Sequence, residues 1–399
     1  MSRVKVFCIL AVSALSSGLA GQSLRAQSVK KVFVIAMENH NWTQPEHQFN
    51  GKIEQVFQNP NAPFINSLVN GTATAVINGS VVNISKQVSY ATAYHNVLAT
   101  PSGNNPSIHP SEPNYIWTEA GTNFGIFNDN DPYASPGGTN QTTNQHFSTL
   151  LTQAGRTWRS YQEDIDLSPA AGGLTNVPLP QDQWTVPLSS FSGNFVSGVN
   201  AYNGSTQFNY AAKHNPTVFF TDTNGGDNPT PTNPLSTHYA PLQRLAIDLA
   251  NNSVADYNWI TPDQYNDMHT ALTGGFQGKT GDEANIAQGD NFLSIIVPMI
   301  MASQAYQNNG AIIIWWDETE ADAPNDNPND FAHTLGEIVI SPLARPNSGG
   351  VPYASPVNFT HSSDLKSWEE LFHLQPVLGD AFNANDLSDL FVPGGITHP

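Results

Sequence analysis

Acidic, amide and imidazole side chains collect directly after short apolar runs in this sequence. Glu38, Asn39 and His40 follow the run 31–37, and Thr221 and Asp222 follow 216–220. Thr261, Asp263, Asn266, Asp267 and His269 follow 257–260, and Asp317 and Glu318 follow 311–316. Hard oxygen donors with imidazoles suit a divalent cation, or a phosphate group held by hydrogen bonds. For any single run, ordinary solvation of a strand end is the simpler explanation; four of the same character weigh against it. A nucleophile candidate lies in HPSEPNY, where Pro110 and Pro113 bracket Ser111 at the start of a helix running toward Ala120. A helix start offers free N–H groups to an anion. Its neighbours alone make Ser111 an ordinary helix cap.

These residues need a frame. The runs 31–37, 216–220, 257–260, 311–316 and 337–340 are continuously apolar, without in-and-out alternation, so they are predicted as strands buried on both faces of a parallel sheet. Helical stripes lie between them: Leu242, Leu245, Ala246 and Leu249; Phe292, Ile295, Ile296, Met299 and Ile300; and Leu365, Trp368, Leu371 and Phe372, the last capped by Ser362 or Ser363. Strand and helix alternating along the chain predict one α/β domain, with a largely parallel central sheet and helices on both faces. The Gly-, Pro- and Asn-rich stretches 168–204, 224–234 and 322–330 read as long surface loops. In such a sheet, ligands gather at the carboxyl ends of the strands, where the polar residues fall.

The chain has 399 residues, with 33 acidic side chains against 14 basic ones and a formal net charge of -19. That charge argues against nucleic acid and anionic membranes as partners. Residues 1–27 read as a signal peptide: basic Arg3 and Lys5, an apolar stretch too short for a comfortable span, then small residues. The expected destination is therefore secreted or periplasmic, with residues 28–399 as the mature domain and no stable membrane anchor. Cys8, the single cysteine, falls in the signal segment, so neither a disulfide nor cysteine catalysis is expected.

Seven strings occur in order: VFVIAMENHNW, YHNV, HPSEPNY, KHNP, NDMH, IIIWWDE and HSSDLKSWEELF. Together they resemble the phosphoesterase family of secreted acid phosphatases and phosphatidylcholine-type phospholipases C, within the alkaline phosphatase superfamily. The resemblance runs from about residue 30 to 375. It implies a divalent metal ion held by Glu38, Asn39, Ser111, Asp317 and Glu318, with Ser111 as the nucleophile. It implies that His214 and His269 line the phosphate and the leaving group, and it leaves His40, His95, His109, His333 and His361 without a role. Two departures stand out. Many relatives have Arg-Ser-Phe-Asp where this chain has His40, Asn41, Trp42 and Thr43, and some have Asp-Asp where it has Asp317 and Glu318.

The implied activity is hydrolysis of phosphate monoesters through a phosphoserine, at acid pH if His214 and His269 act as imidazolium ions. The substrate is a phosphorylated small molecule or a lipid head group, and no protein partner is implied. A phospholipase C is the alternative. A glycosidase pair at Asp317 and Glu318 is disfavoured, because neighbours on a strand point to opposite faces. A secreted carbohydrate- or surface-binding protein is the non-enzymatic reading.

Overall fold

A computed structural model describes residues 27–44, 48–49, 52–53, 55–97, 108–321, 331–347, 349 and 351–398. Residues 1–26 of the expected signal segment, with Cys8, and the loop 322–330 lie outside the described residues. The main sheet is built from β1 (Lys31–Met37), β2 (Val88–Ala91), β3 (Trp158–Gln162), β4 (Tyr239–Pro241), β5 (Tyr257–Thr261), β6 (Gly310–Trp316), β7 (Glu337–Ile340) and β8 (Tyr353–Ser355). Their spatial order is β4-β3-β5-β1-β6-β7-β2-β8. Within this sheet only β7 opposes its neighbours; the other pairings are parallel. β1, at its centre, is flanked by β5 and β6, and Met37 stands in register with Trp316.

Both faces of the sheet are covered, as the unbroken apolar runs require. Trp315 and Trp316 are neighbours on β6 and so point to opposite faces. On one face Trp315 packs edge-on against Tyr115 of α1 (Ser111–Ala120), with ring centroids 5.4 Å apart. The long helix α3 (Asp282–Met301) follows α2 (Gln243–Ala250) and covers the Met37 face. Gly289 makes that approach possible, since a Cβ there would sit 2.8 Å from Met37 Cε and overlap Met268. α4 (His361–Phe372) packs beside α1, with His361 against Trp315. Its cap is Thr360 rather than Ser362 or Ser363: Thr360 and Ser363 form a reciprocal capping box.

Two expectations need correction. The run 216–220 is not a strand: Pro216–Phe219 forms a 3-10 turn off the sheet. Pro216 cannot donate to a ladder, and Asn215 is bound sideways, accepting from Ser160 Oγ and donating to Tyr210 Oη. β3 and β4 extend the sheet on that side instead. The stretch 168–204 is no simple loop either. It carries antiparallel pairs Leu167–Ala170 with Gly173–Pro178 and Phe191–Asn194 with Gln207–Tyr210, over a small core of Leu167, Phe195 and Phe208.

Candidate active site

Glu38 and Asp317 stand directly after the central strands β1 and β6, at the carboxyl edge of the sheet. Parallel register puts them side by side, and backbone bonds tie the edge together: Glu38 N–H donates to the Asp267 carbonyl at 2.8 Å, and Asn39 N–H to Asp317 Oδ1 at 3.1 Å. Asn39 takes φ of +43° and Met268 φ of +85°, values costly for side-chain-bearing residues. Both strained residues adjoin an acidic group of the site.

Ser111 opens α1, but its hydroxyl does not cap the helix. The cap position is Pro110, and Ser111 Oγ lies 3.1 Å from Glu38 Oε2 and 3.1 Å from Glu318 Oε1. The ordinary reading of Ser111 as a cap therefore fails. Tyr115, one turn on, donates its phenol to Glu38 Oε1 and stacks on His214. His214 reaches Glu38 Oε1 through Nε2 and Asp267 Oδ2 through Nδ1, each at 3.3 Å. Glu38, His214 and His269 offer donor atoms all within 4.8 Å of one another. The seven residues named by resemblance thus converge on one place.

The acceptors outnumber the donors. Asp317 Oδ2 is buried and accepts from no donor, and buried Asp267 Oδ2 has only the His214 Nδ1 at 3.3 Å, which is not aligned for a hydrogen bond. The Asn39 carboxamide lies 3.0 Å from Glu318 Oε1 and 3.2 Å from Glu38 Oε2. Its nitrogen can bond both carboxylates; turned the other way, its oxygen joins them in an all-oxygen cluster. Burial raises Glu38 well above the usual carboxylate range, with Asp317 and Asp267 adding to it. Burial likewise raises Asp317, with Glu318 adding, and raises Asp267. This surplus of crowded oxygens fits a hard or borderline divalent cation at Glu38, Asn39, Ser111, Asp317 and Glu318.

Sequence reasoning missed Tyr115 and Lys213. Lys213 precedes His214 in KHNP and pairs with Asp129 at 3.0 Å. Burial opposes its charge, but Glu38 and Asp129 outweigh that and raise its pKa. Its adjacency to His214 was the available signal. The expected imidazolium ions are not met. Burial takes His214 well below its ordinary pKa, with Lys213 and His269 adding, and burial and Lys213 bring His269 down to about 4. The carboxyl groups flanking His214 are themselves raised, so they supply little charge where an imidazole titrates.

The remaining histidines have distinct surroundings. His109 Nδ1 lies 2.6 Å from Glu318 Oε2, inside the site. His361 Nε2 is 2.7 Å from the Asp317 carbonyl, and burial lowers its pKa to about 3, so it supports Asp317 as a neutral donor. His40 bonds Asp282 at 2.7 Å, while His95 stacks on Phe331. His333 is buried. Asp222, which follows the run 216–220, pairs with His146 instead, at 2.8 Å.

The chain belongs to the Phosphoesterase family, which matches residues 8–375, and it is a hydrolase of phosphate esters. It is 25% identical over 285 residues to a phosphatidylinositol-3-phosphatase of Mycobacterium tuberculosis, covering 71% of this chain and 69% of that protein. It is 26% identical over 211 residues to an acid phosphatase of Aspergillus fumigatus, covering 53% of this chain but only 36% of that enzyme. Among solved structures it is similar to a protein in the alkaline phosphatase superfamily from Vibrio parahaemolyticus, with a TM-score of 0.46, 9% identity, and 91% and 72% of the two chains covered.

Proposed function

We propose that this protein is an exported, metal-dependent phosphomonoesterase that works through phosphorylated Ser111. The observation that carries the reading is Ser111 Oγ at the first turn of α1, 3.1 Å from both Glu38 and Glu318. Ser111 Oγ gives up its proton and attacks phosphorus, the Oγ–P bond forms, and the ester P–O bond breaks with the released proton, carried through solvent, ending on the leaving oxygen. Water then attacks the same phosphorus, the P–Oγ bond breaks, a proton of that water returns to Ser111 Oγ, and inorganic phosphate leaves. Glu38, Asn39, Ser111, Asp317 and Glu318 would hold the cation. When bound, it would lower the pKa of the Ser111 hydroxyl and offset negative charge on the phosphoryl oxygens.

The chain's own groups supply the rest. Tyr115 fixes Glu38 by a hydrogen bond. The start of α1 adds a partial positive charge beside Ser111, where Glu112 N–H already donates to Asp129 Oδ1 at 3.1 Å. Lys213 contributes a lasting positive charge; His269, held neutral with Nδ1 against Thr270 Oγ1, would offer Nε2–H to a phosphoryl oxygen or the leaving group, and His214 would do so only by turning from Glu38 or Asp267. This division of labour suits a monoester dianion, whose charge needs several donors at once.

A second reading places the phosphoester on a lipid head group. Val177, Phe191, Val196 and Val199 are exposed within the hairpin region 173–199, and one relative is named for a phosphoinositide. Among the described residues no helix is long and apolar enough to cross a membrane. The test assays wild type and Ser111→Ala on p-nitrophenyl phosphate, bis-p-nitrophenyl phosphate, and vesicles of phosphatidylinositol 3-phosphate or phosphatidylcholine, with and without chelator. Monoester hydrolysis lost in Ser111→Ala and in chelator supports the proposal. Full activity in a folded Ser111→Ala protein rejects the phosphoserine, and faster turnover of phosphatidylcholine shifts the assignment to phospholipase C. N-terminal sequencing of exported protein addresses processing; a start at Met1 rejects the signal peptide.

A further inference from the structure

A second group of carboxylates lies beside the site, at the ends of β3 and β5. Glu163 follows β3 directly, Asp164 follows Glu163, and Asp263 lies two residues past β5. Their side chains are buried, and the three offer oxygens within 4.8 Å of one another. Among the described residues no Lys, Arg or His forms an ion pair with any of them. What holds them is neutral: Asn200 and Asn266 side chains donate to Glu163 Oε1 at 2.7 and 3.0 Å, and Asn209 N–H donates to Asp164 Oδ2 at 2.9 Å.

Asp263 carries the second observation. Its Oδ1 accepts from the backbone N–H groups of Tyr265 and Asn266, at 3.1 and 2.8 Å. Its Oδ2 is buried without a donor, and the neighbours left to it are the carboxyl groups of Asp164 and Glu163. A buried acceptor turned toward two other acceptors is costly without a shared cation or proton. We propose that Glu163, Asp164 and Asp263 form a second, structural cation site, distinct from the one at Ser111, that takes a calcium-class ion.

Ligand chemistry selects the ion. The group offers carboxylate oxygens with amide side chains around them, and no nitrogen or sulfur donor, which favours a hard cation over a zinc-class one. Burial raises Glu163 to about 8 and Asp164 to about 6, and burial with Glu163 raises Asp263 further, so the folded chain strongly disfavours three bare charges here. The site also has a structural consequence. Asn266, held by Glu163, directly precedes Asp267, which lies against His214 and accepts from His269 N–H at 2.8 Å. An ion here would pin the loop that carries Asp267 and His269. The inference stands whether or not the reaction proposed above is correct.

The full-length protein with Asp317→Asn separates this site from the first, because the second cluster stays intact. Metal content after gel filtration, thermal unfolding with added CaCl2, and Tb3+ emission excited through Tyr202 and Tyr265 are the readouts. The expected result is an ion retained by Asp317→Asn, or a clear upward shift of its unfolding temperature with CaCl2, together with sensitised Tb3+ emission. In the Asp317→Asn background, adding Asp263→Asn or Asp164→Asn should abolish these responses while circular dichroism stays that of the wild type. An Asp317→Asn protein with no bound ion, no CaCl2 shift and no emission overturns the proposal and leaves a proton-sharing cluster. Folded double variants, Asp317→Asn with Asp263→Asn or with Asp164→Asn, that respond as Asp317→Asn does also overturn it. If neither cluster variant folds, the Asp317→Asn results decide alone.

Discussion

His109 Nδ1 lies 2.6 Å from Glu318 Oε2, while the other oxygen of the same carboxylate lies 3.1 Å from Ser111 Oγ. Glu318 therefore grips both ends of a three-residue segment that reaches the site from outside the sheet. The extra methylene relative to aspartate gives the side chain the length to touch both.

Shortening that side chain should break one contact. Glu318→Asp is expected to lower kcat/KM by about 10–100-fold, the cost of misplacing a nucleophile or cation ligand. His109→Ala should give a smaller loss, with the fold retained. Steady-state kinetics on p-nitrophenyl phosphate check both; wild-type rates in Glu318→Asp would show that the grip is unimportant.

Lys213 tests where the positive charge comes from. Glu38 and Asp129 keep it protonated despite burial. Lys213→Gln removes a positive charge that acts on Glu38, so KM for a monoester dianion should rise, with kcat/KM falling roughly 10-fold or more. A monoanionic diester should suffer less. Equal losses on the two substrates would place Lys213 in a purely structural role.

Much of this arrangement is legible in the sequence, for a definable reason. Runs such as Lys31–Met37 and Gly310–Trp316 are apolar at every step because both faces of the sheet are covered, so their ends stand out and mark Glu38 and Asp317. β3 escapes notice because Arg159, Ser160 and Gln162 interrupt its apolar pattern; Ser160 and Gln162 are buried by side-chain bonds, with Gln162 donating to both Ser160 and Thr261. The run 216–220 misleads in the opposite sense, since composition alone does not reveal that Asn215 is bound sideways. The Tyr115–Glu38 bond and the convergence of Glu163, Asp164 and Asp263 are tertiary facts. They depend on which strand ends become neighbours, and local spacing does not fix that order.

Glu369 gives a stability prediction away from both sites. One oxygen accepts from Leu378 N–H at 2.9 Å, the other is buried without a donor, and burial raises the group from 4.5 to about 8. The folded state therefore binds a proton that the unfolded state releases near 4.5. Stability from this group is fully present below that value and declines as pH rises toward 8. Glu369→Gln, neutral throughout, should stabilise the protein at pH 8 by on the order of 1–3 kcal/mol and change little at pH 5. Denaturant unfolding at the two pH values measures this; an equal effect at both would remove the titration as its cause.

The last prediction concerns cation binding and pH. Glu38, Asp317 and Asp267 are all raised, burial being the first cause in each. In the folded chain without a cation they therefore keep protons well above the usual carboxylate range. A divalent ion binds carboxylates in their ionised form, so its binding must expel those protons. The sign follows: apparent affinity should increase as pH rises through the raised pKa values and weaken on acidification. Calorimetry in buffers of different ionisation enthalpy should show net proton release on adding the metal. The acid limb of the pH–rate profile should move to lower pH as metal concentration increases, because mass action competes with the proton. An acid optimum is then a property of the enzyme with ample metal, and does not require charged imidazoles at His214 and His269. Proton uptake on metal binding, or an acid limb indifferent to metal concentration, would count against this carboxylate set as the cation's ligands.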